Sequence, residues 1–367
     1  MRVRVLRSSY EGSASEVAEL DPLPDPTPWL AGHDVTLHDL RKATAPAEVA
    51  RLAAEGCDVF VNLCDGMSYE DLAGVEVICA LEAAGAAFTG PSSPLYALTK
   101  EQMKRRALEL GVRTPAFVFA HTEADLERAG RTLSYPAIVK HADGWGSVGM
   151  TAASRVTDAD ALVARGREMF ALAGGALIEE FIEGDEYSVL VVEGRDAVWV
   201  PGPVACRFPP GETFKHFDLK WRAFEGLAWM ACDDPALRAE LARATRVVFE
   251  GLGGTSYARC DFRVDASGRA WFLEVNTTCG VFYPPGAEGC ADHILLGGSR
   301  RARPLRHAHP RRRCREAPLT ARVRDTPRAV LGHALPRSCA LSPPGAGARW
   351  YATCHALLAT RYLPLPL

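Results

Sequence analysis

Short apolar strand signals alternate with helix signals along the first part of this chain. "RVRVLR" near the N-terminus and "CDVFVNLC" at residues 57–64 are apolar runs, and Ala45–Glu55 between them has the apolar spacing of a helix. The second run is almost continuously apolar, which is typical of a strand buried on both faces. Strands separated by helices form parallel sheets. The pattern therefore predicts an α/β domain whose parallel sheet carries helices on both faces.

The length and apolar content of the chain allow two or three domains, since it has 367 residues of which 48% are hydrophobic. Its apolar stretches are too short and interrupted to span a membrane, and the first is too short for a signal peptide. Its eleven cysteines occur singly rather than in the pairs of a zinc site. We therefore expect a cytoplasmic protein whose thiols stay reduced and which does not enter a membrane.

The formal net charge of −3 hides an asymmetry between the body of the chain and its tail. Residues 301–367 contain 13 arginines, no lysine and two acids, which leaves −14 on the remainder. An acidic body argues against general nucleic-acid binding. The tail also loses all helix or strand periodicity. Two interpretations stay open: a disordered basic extension that binds an anionic partner, and, the one we favour, translation of GC-rich DNA out of frame or across an intron.

A glycine-rich loop follows a predicted buried strand near the middle of the chain. The strand, Tyr135–Val139, is apolar and β-branched, and Lys140 follows it. Glycines at 144, 146 and 149 surround Trp145 and Ser147. Because glycine lets the backbone approach a ligand and point several N–H groups at one spot, the loop suits a phosphate. By itself it suits a hairpin turn equally well.

Two predicted strands on either side of residue 266 carry polar side chains that alternation places on one face. These side chains are Arg259, Asp261, Glu274 and Asn276. Leu273 and Val275 fall together on the opposite face. Oxygen-only ligand sets suit Mg²⁺, which completes its coordination shell with water and substrate phosphates. The hairpin therefore predicts a magnesium site; the alternative is a solvated face with an ordinary salt bridge.

Four motifs, taken in order, resemble those of the ATP-grasp superfamily and, within it, of the D-alanine–D-alanine ligase family. They are Lys140 with its glycine loop, "IEEFIEGDE", "ARCDF" and "LEVNT", and the resemblance covers about residues 1–296. It implies an ATP-grasp fold, in which an N-terminal parallel-sheet pre-ATP-grasp domain precedes two α+β subdomains that clamp the nucleotide. The expected boundaries are 1–92 for the first domain, 93–175 for the central subdomain, 176–298 for the C-terminal subdomain and 299–367 for the tail.

The resemblance assigns several residues to the ATP phosphates. Lys100 and Lys140 would contact them, beneath a mobile loop that contains Gly146 and Ser147. Lys220 matches the lysine of a long loop that closes over the active site. The chain has only six lysines, so their occurrence at these positions is informative.

The resemblance also assigns residues to the base and ribose. Glu179 would accept a hydrogen bond from the adenine amino group, with Phe181 and Ile182 beside the ring, and Glu186 would bind the ribose hydroxyls. Two alternatives stay open at this point. The lysines at 100 and 104 could form a solvated helix face, and the glutamates at 179 and 186 could be surface acids.

The activity implied by the resemblance is ATP-dependent ligation of a carboxylate to an amine through an acyl phosphate. Asp261, Glu274 and Asn276 would hold two Mg²⁺ ions, for which Mn²⁺ is a possible substitute. Arg259 would stabilise the acyl phosphate and the tetrahedral intermediate, and Ser147 and Lys220 complete the expected catalytic set. Such a mechanism requires positioning and charge neutralisation rather than a nucleophilic side chain.

Departures from the family's motifs leave the substrates open. The loop reads Gly-Trp-Gly-Ser at residues 144–147, where the family usually has Gly-Ser-Ser. Cys279 stands where proline is usual, and Tyr283 begins a Tyr-Pro-Pro sequence without a counterpart. The N-terminal phrase that supplies a glutamate for the substrate amine is replaced by "SSYEGSASE". The candidate substrate contacts are Glu11, Glu16 and Gly280.

The expected substrates are small molecules: D-alanine, or another amino acid or a peptide. The family's dimers suggest a homodimer. The rival from another functional class is a non-catalytic nucleotide-binding protein, which is favoured if the tail reflects a damaged C-terminus.

Overall fold

The computed structural model describes residues 1–297 except residues 16, 68, 195, 224 and 225. The substrate candidate Glu16 and the tail, residues 299–367, lie outside the described residues. Among the helices of the described part, none combines the length and apolar character that a membrane crossing requires.

The N-terminal part is built on a parallel sheet, as the alternating pattern predicts. Its elements are β1 (Arg2–Ser8), β2 (Asp34–Leu40), α1 (Ala45–Ala54), β3 (Val59–Leu63) and α2 (Val75–Ala83), and the strand order is β2-β1-β3. Leu6 and Phe60 pack against α1 and α2 on one face. On the other face Val3 and Val61 pack against Leu30, which lies in an irregular segment. The expectation of helices on both faces is therefore wrong for the described residues.

The central part is an antiparallel sheet covered by two helices. Its elements are α3 (Ser93–Tyr96), α4 (Lys100–Glu109), β4 (Phe117–Ala120), α5 (Glu123–Thr132), β5 (Ala137–His141), β6 (Arg155–Val156), α6 (Ala159–Ala173) and β7 (Ala176–Glu180). The strand order is β4-β7-β5-β6, with α5 and α6 packed against it. Thr99 caps α4 in a reciprocal pair with Gln102, so Lys100 is the first helical residue.

The C-terminal part is a larger antiparallel sheet. Its elements are β8 (Asp185–Val192), β9 (Val204–Arg207), α7 (Phe217–Trp221), β10 (Ala228–Ala231), α8 (Pro235–Gly251), β11 (Tyr257–Val264), β12 (Ala270–Asn276) and α9 (Cys290–Leu295). The strand order is β10-β9-β8-β11-β12. Helices α4 and α8 pack on one face of this sheet and α9 on the other.

The chain passes from the central sheet to the C-terminal sheet between β7 and β8. Although only a short turn separates these strands, β7 pairs with β4 and β5, whereas β8 pairs with β9 and β11. The expected boundary at 175/176 would separate β7 from its own sheet. We therefore propose that the central subdomain extends to Glu180.

A β-bulge lies in the hairpin that β11 and β12 form. Asp261 pairs with Glu274 and Phe262 with Phe272, which leaves Leu273 as an extra residue on β12. Val275 is buried in the core, whereas Leu273 faces the cavity described below. The prediction that Leu273 and Val275 share a face is therefore wrong, because the bulge shifts the alternation by one residue.

Candidate active site

A cavity of about 690 Å³ lies where the three parts of the chain meet. It is lined by all the residues that the motifs assigned to nucleotide, metal and catalysis, and by Gly280: Lys100, Lys140, Gly146, Ser147, Glu179, Phe181, Ile182, Glu186, Lys220, Arg259, Asp261, Glu274, Asn276 and Gly280. The fold thus gathers on one cavity residues that lie up to 180 positions apart in the sequence.

The carboxylates of the hairpin are paired with cations. Arg259 donates from Nε to Oδ1 of Asp261 at 2.9 Å and from Nη2 to Oδ2 at 2.8 Å, and Ser188 Oγ donates to Oδ1 at 2.7 Å. Glu274 Oε2 lies 3.0 Å from Lys100 Nζ. Burial disfavours the ionised form of Asp261, but Arg259, together with Lys215 and Ser188, outweighs burial and lowers the pKa of this carboxyl below its ordinary value.

The hairpin fits a magnesium ion by the chemistry of its donors. Asp261 and Glu274 are cross-strand partners, and Asn276 stands opposite Arg259 on the same ladder. Among the described residues, no three His, Cys, Asp or Glu side chains form a metal cluster by themselves. Two carboxylates and one amide would leave most of the coordination shell to water and phosphate oxygens, which is the arrangement that Mg²⁺ prefers.

Two lysines hold Glu179 in the floor of the cavity. Lys140 Nζ lies 2.7 Å from Glu179 Oε2, and Lys104 Nζ contacts Oε1. Burial disfavours the ionised form of this carboxyl, but the two lysines outweigh burial and lower its pKa to about 2. Lys100 and Lys104 are both buried, so the alternative of a solvated helix face is wrong.

The glycine loop is closed against the segment that contains Lys220. Ser147 Oγ donates to the carbonyl of Lys215 at 3.0 Å, and Trp221 Nε1 donates to the carbonyl of Gly146 at 2.9 Å. Ser147 has a φ of 64°, a left-handed conformation that a serine rarely adopts. Burial lowers the pKa of Lys220 to about 8, with Arg259 as the next cause. The glycine loop and the segment that contains Lys220 therefore cover the cavity together.

Lys215 is a cavity residue that the sequence motifs did not reveal. Its ammonium lies 2.7 Å from Glu186 Oε1, the carboxylate assigned to ribose, and donates weakly to Cys290 Sγ at 3.8 Å. The sequence offered one signal. The chain has only six lysines, and four of the other five were already assigned to the cavity or considered there.

Glu11, one of the candidates for binding the substrate amine, lies away from the cavity. It is exposed and pairs with Arg41. The acids that line this end of the cavity instead include Asp21 and Asp65. Burial, followed by the charges of Asp21 and Glu70, raises the pKa of Asp65 to about 7.

Tyr283, the first residue of the Tyr-Pro-Pro segment, lines the same end of the cavity as Asp21. Tyr283 Oη donates to Asp21 Oδ1 at 3.0 Å, and Tyr10 Oη donates to Oδ2 at 2.7 Å. The Tyr283 ring lies so close to Gly280 that a Cβ there would come within 2.6 Å of it. Tyr283 thereby joins the C-terminal part of the chain to the N-terminal part.

Two solved structures show which fold this chain has. D-alanyl-alanine synthetase A from Vibrio cholerae has a TM-score of 0.59 and 18% identity, over 77% of this chain and 90% of that one. The Bacillus anthracis D-alanine–D-alanine ligase complexed with ATP has a TM-score of 0.55 and 18% identity, over 76% and 87%. The chain therefore has the ATP-grasp fold, as its motifs implied.

Sequence relatives identify the family. The family model described as "D-ala D-ala ligase C-terminus" matches residues 110–283. The D-alanine–D-alanine ligase of Ectopseudomonas mendocina is 32% identical over 257 residues, which is 69% of this chain and 75% of that protein. The chain belongs to the D-alanine–D-alanine ligase family, which confirms the resemblance seen in its motifs.

Proposed function

We propose that this protein is an ATP-dependent ligase that joins a carboxylate to an amine through an acyl phosphate. The observation that carries the proposal is one cavity that places the Asp261–Glu274 carboxylate pair opposite Lys100 and Lys140, beneath a closed glycine loop. The curated relative and the Bacillus anthracis structure described above are both named as D-alanine–D-alanine ligases, which supports the same reaction class.

The reaction needs positive charge around the phosphates. A carboxylate oxygen of the first substrate forms a bond to the γ-phosphorus of ATP, and the bond from that phosphorus to the leaving ADP oxygen breaks. Lys100 and Lys140 supply fixed charge at this place, and Arg259 stabilises the acyl phosphate. Magnesium, held by Asp261, Glu274 and Asn276, would add charge neutralisation when bound.

The amide bond forms in the second step. The amine nitrogen forms a bond to the acyl carbon, and the bond from that carbon to the phosphate oxygen breaks. The proton that the amine loses leaves with the inorganic phosphate. Because water would compete with the amine for the acyl phosphate, the reaction requires a covered site. The hydrogen bonds from Ser147 and Trp221 to the opposing loops supply that cover in the closed conformation.

Both substrates are amino acids or small peptides in this proposal. Asp21 and Asp65 would give an ammonium group its counter-ion at the substrate end of the cavity. For the nucleotide, Glu179 would bind the adenine amino group, and Phe181 and Ile182 would contact the ring. The residues assigned to ribose and phosphates by the family motifs would keep those roles. We further propose a cytoplasmic location and a homodimer, which rest on the single spacing of the cysteines in the sequence and on the family, respectively.

Phosphate release by the full chain with MgATP, measured against a panel of D- and L-amino acids and dipeptides, tests this function. We expect release that depends on one class of amino acid. Release with D-alanine alone would identify a D-alanine–D-alanine ligase, and release with another compound would identify a different substrate. Nucleotide binding without release across the panel would contradict the ligase and support the non-catalytic alternative.

A further inference from the structure

Lys104 occupies a buried position directly behind the carboxylate of Glu179. It lies one helical turn after Lys100 on α4, so both ammonium groups leave the same face of the helix. Only 1% of its surface is exposed, so it cannot touch a ligand, whereas Lys140 lines the cavity. Each carboxylate oxygen of Glu179 therefore has its own lysine, one facing the cavity and one behind it.

Further contacts fix the Lys104 ammonium in place. It donates to Thr114 Oγ1 at 3.0 Å, and Thr114 Oγ1 donates in turn to the carbonyl of Phe272 at 2.8 Å. The ammonium also lies 5.6 Å from the centre of the Phe117 ring. Phe272 belongs to β12, whereas Glu179 belongs to β7, so this chain of contacts ties the two sheets together behind the base pocket.

We propose that Lys104 is a positioning residue that sets the preference for adenine over guanine by holding Glu179 as a fixed, ionised acceptor. The inference rests on the proposed function, because it takes Glu179 as the partner of the base. Adenine presents an amino donor where guanine presents a carbonyl acceptor. An ionised carboxylate can only accept hydrogen bonds, so it favours the amino group of adenine and repels the carbonyl of guanine.

The charges around Glu179 show what the carboxylate loses when Lys104 is removed. The groups that face this carboxylate are Lys104 from α4 and Lys140 from β5, and Glu274 from β12 adds a negative charge near both lysines. Without Lys104 the buried carboxylate keeps one cation and loses the contact that fixes Oε1. It then gains freedom to rotate or to take up a proton, and a protonated carboxyl can donate to guanine.

The test compares MgATP with MgGTP in the full chain, by calorimetric dissociation constants and by kcat/KM for phosphate release. Lys104→Met keeps the apolar stem and removes the charge. We expect the ATP-over-GTP preference to fall about tenfold, because the adenine amino group then loses a well-placed hydrogen bond to an ionised carboxylate. Such bonds to charged groups are stronger than bonds between neutral groups. The KM for the amino-acid substrate should stay unchanged. An equal loss for both nucleotides would show a merely structural role and would overturn the inference.

A double-mutant cycle with Glu179→Gln tests the route of the effect. If Lys104 acts through Glu179, then Lys104→Met changes the nucleotide preference less than twofold when residue 179 is already glutamine. The same fall in both backgrounds would contradict the inference. Should Lys104→Met fail to fold, Thr114→Val keeps the charge but removes one anchor, and a preference unchanged from wild type would also count against it. A wild type that binds neither nucleotide would instead overturn the proposed function.

Discussion

Asp65 holds a carboxyl group whose burial should destabilise the protein at neutral and alkaline pH. Its pKa is raised from 3.8 to about 7, first by burial and then by Asp21 and Glu70. Because the folded pKa lies above the unfolded one, the unfolded chain releases its proton at lower pH. Folding stability is therefore lost as pH rises from about 4 to about 7, and the loss is complete above that range.

The size of the effect follows from the shift. Each pKa unit corresponds to about 1.36 kcal/mol, so a shift of about three units corresponds to about 4 kcal/mol. Asp65 as a whole residue keeps part of its surface exposed, so solvent screening lowers the expected effect to about 2–4 kcal/mol. Asp65→Asn supplies a neutral side chain of the same shape. It should raise the free energy of unfolding by this amount at pH 8 and leave it nearly unchanged at pH 4.

Urea denaturation of the full chain at pH 4, 6 and 8 measures this difference. Asp34→Asn is the matched control, since Asp34 is an exposed residue in the same N-terminal part of the chain, and it should show the same stability as wild type at each pH. A gain for Asp65→Asn that is equal at pH 4 and pH 8, or absent at pH 8, would refute the reasoning.

Two further substitutions test the cover and the charge of the cavity. Trp221→Phe removes the hydrogen bond to Gly146. It should raise the KM for ATP about two- to tenfold, because such a bond contributes about 0.5–1.5 kcal/mol. An unchanged KM in steady-state kinetics would contradict this role. Arg259→Lys loses the two-point contact with Asp261 and should lower kcat about 100-fold, as loss of a preorganised donor does. A kcat within threefold of wild type would remove Arg259 from the proposed mechanism.

The sequence predicted the site better than it predicted the packing around it. Strand alternation placed Asp261, Glu274 and Asn276 on one face, because a hairpin fixes its own register over a few residues. It did not predict the bulge at Leu273, which depends on cross-strand pairing. The division of β7 and β8 between two sheets was equally hidden, since strands joined by a short turn normally pair with each other.

The cavity residues that the sequence missed are those placed by tertiary structure. Asp21 and Asp65 stand in irregular segments without periodicity, and the hydrogen bond from Tyr283 to Asp21 joins parts of the chain that are far apart in the sequence. Lys215 acquires its partner, Glu186, from β8. The start of α4, by contrast, has a local signal in the sequence, because Thr99 and Gln102 have the spacing of a capping box.

The central claim is that oxygen donors on β11 and β12 bind the metal that the reaction uses. Phosphate release by Glu274→Gln, titrated with Mg²⁺ in the presence of ATP and the substrate found in the panel, tests it most directly. The matched control is Glu250→Gln, at an exposed position on α8 in the same part of the chain. We predict that the first variant loses magnesium-dependent release while remaining folded, and that the control behaves as wild type. Wild-type release and magnesium dependence in Glu274→Gln would contradict the account.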